Sequence, residues 1–350
     1  MRISKPWLIF CALLLAVATY GAEPDATKTG ITLDIPADWA PVVCGGNVYL
    51  FSSNGRNQTL SDGDPAPECD PVQFVPAIQP ICGPEGTLAL DKDGDLWRLG
   101  NGFPKTIQGD LKGAIALFPA ESGLAVLFRD RLRLPGGDEK PLPFEVQAGL
   151  ALPGGGFWLW GRDEAIRLDA AGEKRWTWRP LDGGPGPAAL AEGTVFAATS
   201  RGSLVALRDS DGRKKFSFRG GGAVVSAPLI SGDLVVYGSL DHFIRAVKRH
   251  SGQLAWQCRA EGRPAFGPFP VKIGLLFAEA GGSRLTILSA DKGKKLWEWD
   301  LPSGAILKAP ALSDDFAVVL GWGEASVPTL YRVALPKAKS APKGKDAQRP

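Results

Sequence analysis

Short apolar runs separated by tight polar turns follow one another along most of this chain. The pattern is cleanest from Ala227 to Cys258. Ala227-Pro228-Leu229-Ile230 is a short apolar run, and Ser231-Gly232-Asp233 is a turn. Leu234-Val235-Val236-Tyr237-Gly238-Ser239 is apolar and β-branched, which predicts a buried strand. Leu240-Asp241-His242 turns again, and the alternation of Phe243-Ile244-Arg245-Ala246-Val247-Lys248 predicts a third strand. His250-Ser251-Gly252 is the next turn, where glycine takes a positive φ without steric cost. Gln253-Leu254-Ala255-Trp256-Gln257-Cys258 is the fourth predicted strand. No stretch after the N-terminus carries the period of an amphipathic helix.

The four-strand plan recurs. Gly172, Gly212, Gly252 and Gly293 lie 40, 40 and 41 residues apart, each followed four residues later by an aromatic: Trp176, Phe216, Trp256 and Trp297. Pro187, Pro228, Pro268 and Pro310 run in step, each just before a short apolar run. A fixed period of this length marks an array of one supersecondary unit, and four strands in about forty residues make one propeller blade. Earlier units are degenerate. They are visible as Gly46–Phe51 with the turn Asn54-Gly55, as Thr87–Leu90 with Leu96–Leu99, and as Leu124–Phe128 with Arg131–Leu134. The last unit, Ala309 to Leu335, supplies three strands, and the N-terminal run Gly30–Ile35 is placed to supply the fourth. Such a closure removes two sheet edges at once. The fold expected is all-β, a single propeller of about eight four-stranded blades, with seven as the alternative because the second and third units are short.

The segment Gly202–Phe216 carries Gly-x-Leu-x-Ala and Ile244–Trp256 the Ile-x-Ala part of it, each followed by a glycine and, four residues on, an aromatic. This pattern resembles the PQQ-like, quinoprotein-type repeat, strongly over about residues 150–310 and weakly over 40–140. The resemblance implies that the tryptophans dock neighbouring blades. The family holds large quinoprotein dehydrogenases and small non-catalytic propellers, and in length this chain is similar to the small members. What that implies is a protein-binding scaffold in the cell envelope, with a β-barrel assembly component of the outer membrane as partner. The alternative is a binder of a small ligand or of PQQ in the central channel.

The N-terminus bears on compartment. Arg2 and Lys5 precede an apolar stretch, Trp7–Val17, too short to span a bilayer, with Ala16-Val17-Ala18, Gly21 and Ala22 as cleavage candidates. We expect a signal peptide over 1–22, a propeller over 23–336 and a disordered basic tail over 337–350, in a periplasmic or secreted protein. Cys11 follows Phe10 inside the apolar stretch, where a lipidation motif needs a small residue. Removing the signal and the tail turns the formal net charge of +3 into −3 for the body, so nucleic acid is an unsuitable partner. The tail carries Lys337, Lys339, Lys343, Lys345 and Arg349 against Asp346, which suits either a solvated end or a contact with lipid headgroups or a cell-wall polymer. An oxidising compartment permits one disulfide among Cys44, Cys69 and Cys82, and leaves Cys258 as a free, buried thiol.

Catalytic chemistry has little to stand on. The two histidines, His242 and His250, fall in turns and lack the cysteine or carboxylate cluster of a zinc site. Asp91-Lys92-Asp93-Gly94-Asp95 resembles the start of a calcium loop, but glycine stands where the bidentate glutamate belongs, at position 102, and Asp-Gly is an ordinary hairpin turn. No two cysteines are adjacent, as a quinoprotein dehydrogenase would require, and no large segment remains to cap a cofactor. Trp176, Trp256 and Trp297 recur at repeat spacing, with Trp178 and Trp299 two residues beyond, which assigns them to the core. Gly183–Gly186 and Gly220–Gly222 lack the strand–loop–helix context of a phosphate loop and join one blade to the next. No catalytic, cofactor or metal residue is assigned, and Asn54–Pro71 and Gly321–Pro328 are the divergent inserts in which to seek a partner surface.

Overall fold

A computed structural model describes residues 30–33, 38–60, 68–69, 74–99, 105–120, 123–322 and 327–337. The expected signal peptide, Cys11 and the tail beyond Lys337 lie outside them. Eight antiparallel four-stranded sheets form the eight blades of a propeller, which removes the seven-blade alternative. Seven blades are plain meanders. The inner strands at the channel begin at Val42, Ile81, Ala116, Ala148, Pro185, Leu229 and Arg263, and the strands then step outward to the rim. Blade 8 takes Ala311–Leu312, Phe316–Trp322 and Pro328–Ala334 from the C-terminus, and its rim strand is Gly30–Thr32. Gly30 pairs with Tyr331 and Thr32 with Thr329, so the N-terminal run closes the ring as its sequence indicated.

Strand length explains why the repeat fades toward the N-terminus. Blade 6 has second, third and rim strands of six residues each, at Leu234–Ser239, Phe243–Lys248 and Leu254–Arg259. Blade 1 has strands of three, four, three and two residues. Fewer ladder positions leave fewer alternating side chains to read.

The core is divided among the seams. Apolar clusters unite each blade with the next, as Trp158 and Val195 do between blades 4 and 5, or Leu276 and Val319 between blades 7 and 8. Trp158 is wholly buried and donates its indole N–H to the carbonyl of Gly186 across the seam at 2.9 Å. Burying a large aromatic gives the seam most of its apolar area, and the hydrogen bond removes the cost of taking the N–H out of water.

The repeat glycines serve this packing in two ways. Gly212, Gly252 and Gly293 have φ of 72°, 72° and 64°, a region costly for other residues. Each also seats the aromatic of the preceding blade. A Cβ on Gly212 would stand 2.8 Å from the ring of Trp176, and the approaches of Gly252 to Phe216 and of Gly293 to Trp256 are tighter still. The indole N–H of Trp176 bonds the carbonyl of Asp209 at 2.7 Å and that of Trp256 bonds Ala290 at 3.1 Å. Trp299 is buried against Tyr331 of blade 8, whereas Trp178 and Trp297 are half-buried. The tryptophans are therefore interlocks between blades.

Covalent and ionic links also cross the seams. Cys44, at the end of the first inner strand, is bonded to Cys82 in the second, with Cα atoms 5.3 Å apart. Asp209 of blade 5 receives the buried guanidinium of Arg167 at 2.7 Å and that of Arg175 at 2.6 Å, both from blade 4. Cys258 is free but only half-buried, in correction of the buried thiol expected, because it lies on a rim strand with no blade outside it. Burial still pushes its thiol pKa up, so its thiolate is not favoured.

Candidate functional site

Because every blade runs in the same sense, the propeller has two unlike faces. One, the turn face, carries the turns from inner to second strand and from third to rim strand. The other, the link face, carries the turns from second to third strand and the links from each rim strand to the next inner strand. Loops held by a rigid scaffold are the usual place of recognition. The links around the two glycine-rich segments are braced loops of the link face.

The link from blade 4 to blade 5 runs from Trp178 to Pro185. Arg179 pairs with Glu164 at 2.9 Å, and Asp182 accepts the hydroxyl of Ser203 at 2.7 Å. Gly184 N–H donates to the hydroxyl of Ser200 at 2.9 Å. A Cβ on Gly183 would strike Ser200 and Arg201, so only glycine lets the link lie this close to the neighbouring turn. Between these anchors Leu181 is fully exposed, at 102%.

The next link, from Arg219 to Leu229, is fastened more firmly. Gly220 N–H donates to Gly202 at 2.9 Å, Gly221 N–H to the carboxylate of Asp241 at 3.1 Å, and Leu240 N–H to Ala223 at 2.9 Å. Asp241 is held in turn by the buried Arg245, which forks onto both carboxylate oxygens at 3.0 and 2.6 Å and takes Ser239 at 2.7 Å. Val224 is buried under this link and Val225 stands out from it, 50% exposed. Trp322 of blade 8, 39% exposed, is a third large apolar side chain on the same face.

Burial would raise the pKa of Asp241, but the hydrogen bonds from Arg245 and Ser239 and the Arg245 charge outweigh it and hold the carboxyl below its usual range. A depressed carboxyl stabilises the fold above its unfolded pKa, and that contribution disappears as pH falls through the folded one. Asp241→Asn should therefore cost about 2 kcal/mol at neutral pH, as charge-assisted bonds to a buried partner do. Its difference from wild type should begin to shrink as pH falls below about 4, the range of an unfolded carboxyl, and be lost only as pH falls through the lower folded pKa. Urea unfolding across pH 3–7, roughly the span of carboxyl titration, measures this directly; a difference independent of pH would refute it.

The residues weighed for metal chemistry are engaged elsewhere. The Oδ1 atom of Asp91 accepts the backbone N–H groups of Asp93, Gly94 and Asp95 at 3.0, 2.9 and 2.8 Å, and Oδ2 accepts the indole N–H of Trp97 at 2.8 Å. The acidic run is thus a hairpin tightened by its own side chain. His242 occupies a turn at φ 69°, with Nδ1 3.0 Å from the carbonyl of Glu261, and His250 lies 3.3 Å from Asp233. Among the described residues no three His, Cys, Asp or Glu side chains converge to hold a metal. Gly321–Pro328, one of the two inserts named for partner contact, reaches the link face beside Trp322, with 323–326 outside the described residues. Asn54–Pro71, the other, is described only as far as Leu60 and at 68–69. Leu181 and Val225 were not among the expected contacts. Their signal was an apolar residue beside each glycine-rich link, where solvent-facing polar residues are the norm.

The family model described as outer membrane protein assembly factor BamB matches residues 161–267 and 241–332. Among solved structures, BamB from Moraxella catarrhalis is similar with a TM-score of 0.62 at 16% identity, covering 87% of this chain and 99% of that one. The computationally designed Ika8 protein reaches 0.67 at 14% identity, over 86% and 98%. Saccharomyces cerevisiae Sqt1 reaches 0.66 at 11% identity, over 88% and 99%. At these identities the structures establish the propeller fold and nothing finer. No protein of curated function matches the chain.

Proposed function

Starting from a propeller of BamB-type, PQQ-like repeats, we propose that this protein is a non-catalytic exported scaffold that docks another envelope protein, a β-barrel assembly component, on its link face. The observation that carries the reading is Leu181, fully exposed at the tip of a link whose backbone is fixed on both sides, with Val225 on the neighbouring link. Large apolar side chains held out from a rigid loop suit the buried centre of a protein interface. Export is supported by the N-terminal run over 1–22, and by the Cys44–Cys82 bond, which persists in an oxidising compartment. The basic tail from Lys337 is a second, peripheral contact in this scheme.

The test is a photo-crosslinking residue at position 181, expressed in the native host and followed by mass spectrometry of the envelope fraction. Recovery of a β-barrel assembly component is the expected result. Leu181→Asp with Val225→Asp should reduce its co-purification at least about tenfold, as loss of a central apolar anchor does. Crosslinks confined to a redox carrier would sink the scaffold reading. Deletion of the gene with no change in outer-membrane protein content would remove its assembly role.

A further inference from the structure

Among the described residues, the turn face differs from the link face in the kind of unpaired cation it exposes over blades 4 to 7: lysines on the turn face, arginines such as Arg162, Arg201 and Arg219 on the link face. Just after the repeat glycine, each of the rim strands of blades 4, 5 and 7 is preceded or opened by cations, and in blade 6 the third strand ends on Lys248. Lys174, Lys214, Lys248 and Lys294 are exposed, and no carboxylate among the described residues pairs with them. Their neighbours are taken: Arg175 by Asp209, Arg249 by Glu192 and Asp233, Lys295 by Glu298. The free lysines therefore mark an arc over four consecutive blades, in a body whose overall balance is negative. Leu254 and Leu296 stand within the same arc, 42% and 47% exposed. Both ends of the propeller strands also lie at this face: Gly30 enters there to pair with Tyr331, and the last strand leaves there toward Lys337.

We infer that this arc is a membrane-docking surface for an anionic lipid bilayer. Four dispersed ammonium groups do not converge on one compact anion. They suit the diffuse charge of many headgroups, where each lysine near the surface contributes separately. An acidic protein surface would call for arginine forks, and the arginines nearest these lysines are already engaged. The two exposed leucines add what a purely electrostatic contact lacks, apolar area to enter the headgroup boundary. The described chain ends at Lys337 on this same face, and Lys339, Lys343, Lys345 and Arg349 follow it in the sequence. The propeller would then lie with its turn face on the bilayer and its link face free for the protein partner.

Flotation of the full-length protein with vesicles tests this without reference to any protein partner. Vesicles of phosphatidylcholine with about a quarter phosphatidylglycerol should bind it, pure phosphatidylcholine should not, and salt should weaken the binding. Joint Lys174→Glu, Lys214→Glu, Lys248→Glu and Lys294→Glu should lower partitioning by about tenfold or more, given the charge each lysine contributes. Leu254→Ser with Leu296→Ser should lower it about threefold by removing apolar contact. Lys112→Glu with Arg201→Glu, on the link face, should leave it unchanged, with circular dichroism confirming the fold of every variant. Equal binding to both vesicle types would overturn the proposal, and so would full binding by the fourfold charge reversal, which would assign the contact to the tail alone.

Discussion

Replacing Cys44 and Cys82 together by serine is expected to lower the free energy of unfolding by about 4 kcal/mol. The bond spans 38 residues, and closing a loop of that length removes about this much chain entropy from the unfolded state. The effect should be concentrated where the fold has least else to hold it. The inner strands of blades 1 and 2 have three residues each, against nine for Arg263–Val271 of blade 7. Their seam relies on Tyr49, Phe51, Phe74 and Leu99, with Phe74 stacked on Trp97 at 5.4 Å. Chemical unfolding with and without reductant gives the measurement. Reduction should shift the wild-type midpoint to that of the double serine variant, and Cys258→Ser should leave it in place. Equal midpoints for wild type and the double variant would show that the seam is sustained by its aromatic residues alone.

The second large effect concerns the interlock of glycine and ring. Gly293→Ala should cost about 3 kcal/mol, part from a left-handed backbone without glycine and part from the collision of the new Cβ with Trp256. Trp256→Ala should cost about 4 kcal/mol, as loss of a buried indole and its hydrogen bond does. The informative quantity is their combination. With the ring absent, the alanine at 293 keeps only the backbone penalty, so the pair should fall short of additivity by about 2 kcal/mol. Additive behaviour would mean that Gly293 is present for φ alone.

That interlock shows what the sequence disclosed and what it withheld. The strand boundaries of blade 6 follow the alternation of its residues, and the closure of blade 8 by Gly30–Thr32 follows from a missing strand at one end and a spare run at the other. The positive φ of the repeat glycines followed from their turns. Their second role did not, although its trace is present: Gly212 follows Trp176 by 36 residues, Gly252 follows Phe216 by 36, and Gly293 follows Trp256 by 37. A spacing constant between unlike residues of successive repeats points to contact between blades rather than within one. The disulfide stayed open among three cysteines because blades 1 and 2 are too short to fix a register by alternation. The candidate surface was least legible. Exposure is a property of the assembled ring, and Leu181, Val225 and Leu254 differ from core residues of the same type only in where the turns place them. Arg245 and Asp241 lie four residues apart on a hairpin, and only the burial of Arg245 in the assembled ring makes them the brace of a link.

The closing strand has a consequence for how the molecule comes into being. Residues 30–32 emerge from the ribosome before the strands of blade 1, and their partner, Pro328–Ala334, emerges after every other described strand. Blades 1 to 7 can each form from neighbouring sequence as it appears, but the circle stays open until the final strand is made. A chain delivered in an extended form, one end first, would hold its opening residues in waiting while some three hundred others fold, with an unpaired edge at each side of the gap. Loss of Gly30–Thr32 or of Pro328–Ala334 would therefore have the same outcome by two different routes, an open arc in place of a ring.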